Sequence, residues 1–212
     1  MEQVLYELPD GWAWQLLGEA LDVRDGTHDS PKYIDEGYPL VTSKNLTSKG
    51  LDLNNVKYIS LEDYDAINKR SKVGIEDILF AMIGTIGCPT VITEEPNYAI
   101  KNVALFKKRH DDQNIGFYKY FLESPYGMET LISQAKGAAQ KFVGLTVLRN
   151  FNVPTPPKAE QKRIVEKLDA LLTRIDTAIE HLRESVVLKN NLLQAALDGQ
   201  FCAISERVTI ES

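Results

Sequence analysis

The chain has 212 residues, 43% hydrophobic and 25% charged, which fits an ordinary globular protein and excludes a disordered, collagen-like or disulfide-stapled one. Its formal charge of −6, from 24 Lys/Arg against 30 Asp/Glu, argues against nonspecific nucleic-acid binding by bulk charge. Cys88, Cys202, His28, His110 and His181 share no metal-ligand spacing, which excludes the common zinc motifs and fits a reduced compartment.

Met1 to Leu5 lacks a basic, then apolar, leader pattern. The longest apolar run, Ile78 to Ile83, falls far short of the roughly 20 residues of a membrane helix. The chain reads as soluble and cytoplasmic. Residues 1–155 read as a strand-rich region punctuated by Asp25-Gly26, Glu36-Gly37, Lys49-Gly50, Gly84, Gly87 and Pro96-Asn97. Strands are predicted at Pro39–Thr42, Lys57–Ile59, Ile78–Ile83, Thr90–Thr93 and Val103–Lys107. Helices are predicted at Ile115–Glu123 and Met128–Gln134.

Val153-Pro154-Thr155-Pro156-Pro157 then breaks the chain, since proline disfavours helix in the residue before it but suits a first turn. From Glu160 to Leu197 no Pro or Gly intervenes. Ile164, Leu168, Leu171, Ile175, Ala178, Leu182, Ser185, Leu188 or Lys189, Leu192 and Ala196 follow a heptad-like spacing, the period of a coiled coil. About 38 residues at 1.5 Å each make a rod of roughly 57 Å. Asp198-Gly199 is the predicted stop. Such a rod needs a second helix, and no other segment of this chain matches its length. A second copy is the simplest source, with a helix folded back on its own domain as the alternative. The fold class is α+β, a mixed strand-rich domain over 1–155, a long coiled-coil-forming helix over 156–201 and a tail over 202–212. Residues 1–155 hold 16 Lys/Arg against 21 Asp/Glu, yet Lys69-Arg70-Ser71-Lys72, Lys107-Lys108-Arg109 and Lys136 with Lys141 cluster locally. A local basic face is compatible with the acidic average, as is plain solvated charge.

Several segments, in order, resemble the specificity (S) subunit of type I restriction–modification systems. They are Leu8-Pro9-Asp10-Gly11-Trp12 with Leu17-Gly18-Glu19, Asp25-Gly26-Thr27-His28-Asp29-Ser30-Pro31-Lys32-Tyr33, and Val41-Thr42-Ser43-Lys44-Asn45-Leu46. The run Asp77-Ile78-Leu79-Phe80-Ala81-Met82-Ile83-Gly84-Thr85-Ile86-Gly87 is similar to the family's central strand–turn, with Glu76 where the family usually has Gly. Ala139-Gln140-Lys141, Leu145, Leu148, Pro154, Pro156-Pro157 and Glu160-Gln161-Lys162-Arg163-Ile164-Val165 resemble the junction into the family's conserved helix. The resemblance covers residues 8–201. Full-length family members usually carry two target recognition domains and two such helices, so this chain looks like a half-subunit.

The resemblance implies a non-catalytic, sequence-specific reader of double-stranded DNA that works with a methyltransferase (M) subunit and a restriction (R) subunit. Each chain would read one half-site, and a homodimer through Ile164, Leu168, Leu171, Ile175, Leu182 and Leu192 would read an interrupted palindrome. Phosphate and base contacts need hydroxyls, amides, cations or free backbone N–H groups. These point to Thr27, His28, Lys32, Ser43, Lys44, Asn45, Gly84, Thr85, Lys101, Asn102, Gln140 and Lys141. Blander readings stand beside them: turn-making for Gly84, Gly87 and Asn45, and turn-capping for His28. Trp12, Trp14, Tyr118 and Tyr120 read as packing residues, and His181 as a residue of the rod.

Two rivals remain. Glu160-x-Lys162 with Asp77 has the form of a metal-dependent nuclease site, though Glu160 also suits a helix N-terminus. A protein-only adaptor, a globular head with a dimerising rod, fits the acidic charge. Neither a phosphate-binding loop nor an Asn-Pro-Pro-Tyr-type motif occurs, so no cofactor is expected.

Overall fold

A computed structural model describes residue 3 and residues 5–210, with side chains described as far as residue 199. The reading of Met1, Glu2 and Val4, and that of the Cys202 side chain, fall outside the described residues. In chain order the elements are β1 (Ala13–Leu16), α1 (Leu17–Ala20), β2 (Leu21–Asp25), β3 (Tyr38–Thr42), β4 (Leu46–Thr47), β5 (Gly50–Leu51), β6 (Lys57–Ile59), α2 (Leu61–Ser71), β7 (Ile78–Ala81) and β8 (Gly87–Val91). They continue with β9 (Ala99–Lys101), β10 (Val103–Lys108), α3 (Ile115–Glu123), α4 (Pro125–Ser133), α5 (Leu145–Arg149), β11 (Asn152–Thr155) and α6 (Lys158–Ile210). The architecture is α+β, mixed sheets followed by a long helix.

The apolar run at Ile78 is a central strand covered on both faces. β7 lies in an antiparallel sheet ordered β2-β10-β7-β8. Because side chains alternate along a strand, Ile78 and Phe80 join Ala104 and Phe106 on one face, under Phe117, Tyr118 and Phe121 of α3. Leu79 and Ala81 join Val103 and Leu105 on the other, against Val41, Leu46 and Ile100. A strand buried on both faces reads as continuous apolar sequence rather than alternation, which is why this segment stands out.

A smaller sheet, β6-β3-β9, pairs β3 with β9 in parallel. It docks beside β2 at Gly26, where an added Cβ would overlap the carbonyl of Ile100. Only glycine permits this approach, and it sets Thr27 next to Lys101. A third pair, β1 with β11, aligns Ala13 with Thr155. The proline break is therefore a strand, with Pro154 in a two-stranded ribbon that does not need its missing N–H.

The chain divides into two compact units at Val165/Glu166. The first, the head, includes the opening turns of α6. There the buried Gln161 accepts from Asn114 N (3.1 Å) and donates to the Pro156 carbonyl (2.9 Å). Ile164 and Val165 pack against the main core. Ile164, expected on a helix–helix seam, is thus a head residue; the core captures the first apolar position of the heptad run. α6 also continues through Gly199 to Ile210, past the expected stop and across the expected tail. One interior glycine costs a helix only about 1 kcal/mol, too little to end it. Its 53 residues give a length of about 80 Å.

Candidate nucleic-acid interface

Loops that are far apart in sequence meet around Asn102. Its backbone is left-handed (φ 54°). Its N–H donates to the Thr27 carbonyl (3.1 Å), while Thr27 N–H donates to the Ile100 carbonyl (3.0 Å). Its own carbonyl accepts from Ser43 Oγ (2.9 Å). Lys101 Nζ bonds Ser30 Oγ, which ties the start of the next loop to the same point. A groove of about 490 Å³ then runs past Tyr33, Ser43, Lys44, Asn55, Lys57, Asn102 and Gln140. Gln140 borders Gly84, whose N–H donates to the Lys141 carbonyl (3.0 Å).

Of the residues expected to meet DNA, the structure gathers Thr27, His28, Ser43, Lys44, Asn45, Gly84, Lys101, Asn102, Gln140 and Lys141 into this one linked set. Lys32 and Thr85 are exposed and, among the described residues, no bond ties them to it. The set is not uniform. Lys44, Gln140 and Lys141 present exposed polar groups. Asn45 is buried, its Oδ1 accepting from Thr42 N (2.9 Å) and Thr42 Oγ1 (3.0 Å), its Nδ2 donating to the Asp52 carbonyl (3.0 Å) and facing that of Asn55. Both lone pairs and both N–H groups are engaged. Asn45 thus braces the turn that carries Ser43 and Lys44. Ser43 is nearly buried, its hydroxyl turned to Asn102.

The two glycines separate. Gly87 (φ 119°) is buried, and a Cβ there would stand 2.8 Å from Met128 Cε, so its role is packing and turning. Gly84 (φ 76°) is exposed beside Gln140. Trp12 and Trp14 are packing residues. Trp14 donates Nε1–H to the Tyr6 carbonyl (3.1 Å), and Trp12 lies edge-on to Phe117.

Asp77 is also structural: Gly74 N–H donates to its Oδ2 (2.7 Å), and Lys107 bonds the same oxygen. Burial pushes its carboxyl above the usual 3.8, and the Lys107 ammonium offsets only part of this. Glu160 pairs with Arg163, which lowers its carboxyl. Among the described residues no three His, Cys, Asp or Glu side chains gather as a metal site would require.

Sequence reasoning passed over α2 and read Arg70 only as part of a basic cluster, whereas its guanidinium bonds the buried carboxylate of Asp25. The available signal was Ser60, which caps α2 by accepting from Asp63 N (3.1 Å). Tyr33 and Lys57, which line the groove, were missed as well: Tyr33 closes the polar segment that begins at Asp25 but carries an aromatic ring, and Lys57 lies in a strand.

On α6, Leu168 is half-buried and Leu171, Ile175, Leu182 and Leu192 are exposed, the last two at 67% and 72%. Ile179, Leu182, Val186 and Val187 form a shallow apolar groove with Arg183 at its edge. His181 is exposed. No helix among the described residues is long and apolar enough to cross a membrane.

A family described as type I restriction modification DNA specificity domain matches residues 9–188. The chain is 28% identical over 199 residues to the type I restriction enzyme EcoBI specificity subunit of Escherichia coli, covering 92% of this chain and 42% of that one. It is 24% identical over 204 residues to the MjaVIII specificity subunit of Methanocaldococcus jannaschii, covering 92% and 47%. It thus spans less than half the length of these relatives. A chain solved in work on complex assembly and conformational transition of the type I R-M system superposes with a TM-score of 0.70 at 22% identity, covering 91% of this chain and 46% of that one. The HsdS subunit of Thermoanaerobacter tengcongensis gives 0.57 at 21% identity, covering 81% and 40%.

Proposed function

Because the chain belongs to the type I restriction modification DNA specificity family, we propose that its head reads one half-site of duplex DNA for a methyltransferase (M) subunit and a restriction (R) subunit. The observation that carries the reading is the convergence around Asn102 of loops that the chain keeps apart. It makes one polar surface from hydroxyls, amides and cations of the kinds that contact phosphates and base edges. Lys44, Lys57, Lys101 and Lys141 lie on or beside that surface, which gathers positive charge there within a chain of net charge −6. The chain acts in the cytoplasm and supplies specificity, while adenine methylation and cleavage are the work of its partners.

The exposed apolar positions of α6 support a second part of the reading, a homodimer through that helix. Burying a Leu or Ile side chain is worth about 1.5–3 kcal/mol, so Leu171, Ile175, Leu182 and Leu192 together favour a helical partner strongly. A two-fold dimer presents two identical heads, and its target is an interrupted palindrome. Mapping methylated adenines in a genome that carries this chain with a methyltransferase partner tests both parts. A gapped palindrome is expected, lost on deletion of residues 166–199. An asymmetric motif would refute the homodimer, and absence of any motif would favour the protein-only adaptor.

A further inference from the structure

Asp25 lies at the end of β2 and is 3% exposed, a costly place for a carboxylate unless it is paired. Its two oxygens serve different elements: Arg70 Nη2, from α2, bonds Oδ1, and His28 Nε2 lies 2.8 Å from Oδ2. Both partners remain largely in solvent, with side chains 66% and 62% exposed. The pairing does not serve to bury them. On its other side the His28 ring holds Asn102, with Nδ1 2.8 Å from Oδ1. Asn102 is the residue on which Thr27 and Ser43 already converge. One buried carboxylate therefore fixes the relative placement of α2, the loop after β2 and the 101–102 turn.

We propose that Asp25 is a positioning residue for DNA reading, which with Arg70 as its counter-charge fixes the His28 ring and, through it, the orientation in which the Asn102 side chain meets base edges. This deepens the DNA-reading function proposed above and rests on it. An exposed histidine on a loop samples several rotamers, and ordering it on binding opposes affinity. A ring held from one nitrogen by a buried carboxylate is ordered beforehand, as supporting hydrogen bonds order the ligands of metal sites. The pairing also offsets the cost of burying the Asp25 carboxylate, so the thermal midpoint of each variant is read beside its binding.

The full chain is incubated with a pool of randomised duplexes, and the retained duplexes are sequenced. The readout is retention of the resulting consensus relative to a scrambled duplex. Asp25→Asn should lower that ratio by about tenfold or more, the scale of one good base contact. Retention of the scrambled duplex and its salt dependence should stay as in the native chain, because phosphate contacts do not pass through Asp25. Arg70→Ala, on an exposed side chain, should shift the ratio the same way, Arg70→Lys should restore most of it, and Arg70→Ala should add little to Asp25→Asn. Should Asp25→Asn fail to fold, Arg70→Ala and His28→Ala decide. Unchanged ratios in the folded variants overturn the proposal. So does parallel loss of consensus and scrambled binding with a lower thermal midpoint, the mark of a purely structural pair. A shallower salt dependence in Arg70→Ala alone makes Arg70 a phosphate contact and removes it as counter-charge. A native chain that yields no consensus is a separate result, which refutes DNA reading itself.

Discussion

Glu76 stands just before the central strand with a left-handed backbone, φ 64°, the region in which a Cβ crowds the following carbonyl. That crowding costs about 1–2 kcal/mol. The side chain recovers part of it through Lys108, whose Nζ lies 2.8 Å from Glu76 Oε2. With Glu76 61% exposed and Lys108 24%, the pair is worth about 0–1 kcal/mol after solvent screening. Glu76→Ala loses the pair and keeps the crowding, so it should be less stable than the native chain by up to about 1 kcal/mol. Glu76→Gly also loses the pair and relieves the crowding, but adds unfolded-state freedom worth about 0.4–1 kcal/mol. The glycine variant should therefore exceed the alanine variant by about 0.8 kcal/mol, or roughly 2–3 °C in midpoint for a chain of this length. Urea unfolding followed by the fluorescence of Trp12 and Trp14, both packed on the head, reads this directly, with unchanged slopes confirming a common unfolded state. The same two substitutions at Lys69, inside α2, serve as the control. There alanine should exceed glycine by about 1 kcal/mol. An alanine variant at 76 as stable as the glycine variant would refute the argument that backbone strain, rather than the ion pair, governs this position.

Leu182→Glu places a charge on the exposed helix and should leave helicity intact. It should weaken self-association at least 100-fold, since a symmetric dimer loses two buried leucines at about 1.5–3 kcal/mol each. Sedimentation equilibrium measures it, and a native chain that is monomeric at tens of micromolar would refute the dimer. Gly26→Ala forces a Cβ onto the Ile100 carbonyl and should destabilise the head by about 1–3 kcal/mol, and a midpoint unchanged in thermal unfolding would contradict the close approach. Lys44→Ala should lower the slope of log binding constant against log salt by about 0.9 with preserved sequence preference, and an unchanged slope removes Lys44 from the phosphate contacts. Burial raises the folded-state pKa of Asp77, so the folded chain takes up that proton before the unfolded one as pH falls. The stability of the native chain relative to Asp77→Asn should therefore rise as pH drops from neutral toward 4, and a flat or falling difference in urea midpoints would mean that the Lys107 pair dominates.

Strong periodicity was legible in the sequence, and so was chemistry confined to one segment. The doubly covered β7 appears as an unbroken apolar run, α3 as a cluster of aromatics at helical spacing, and α6 as its heptads. α2 was not legible because it buries little beyond Tyr64 and Ile67, half-buried beside Leu40 and Ile59, so no apolar stripe marks it. The strand β11 was hidden by Pro154 and the two prolines that follow it, which signal a break, although Pro154 is tolerated in a two-stranded ribbon. At the candidate interface, the polar loops were visible as composition. The difference between Lys44, which faces solvent, and Asn45, spent on Thr42 and Asp52, depends on packing from residues up to ten positions away. Asp25 was invisible as a site residue for the same reason, since its partner Arg70 is supplied by the unrecognised α2.

The β1–β11 ribbon brings the head's first strand and its last against each other, Ala13 facing Thr155 and Leu16 facing Asn152. A cassette whose two ends meet in one short seam is exchangeable, because a foreign head with the same seam can be spliced between those points without stretching either junction. Recombination near residues 12 and 165 would replace every loop that meets at Asn102, together with the opening turns of α6 that pack on the head, while residues 166–199 of α6 pass unchanged to the new combination. The ribbon thus makes exchanging the head's polar loops genetically simple, and largely independent of the rest of α6.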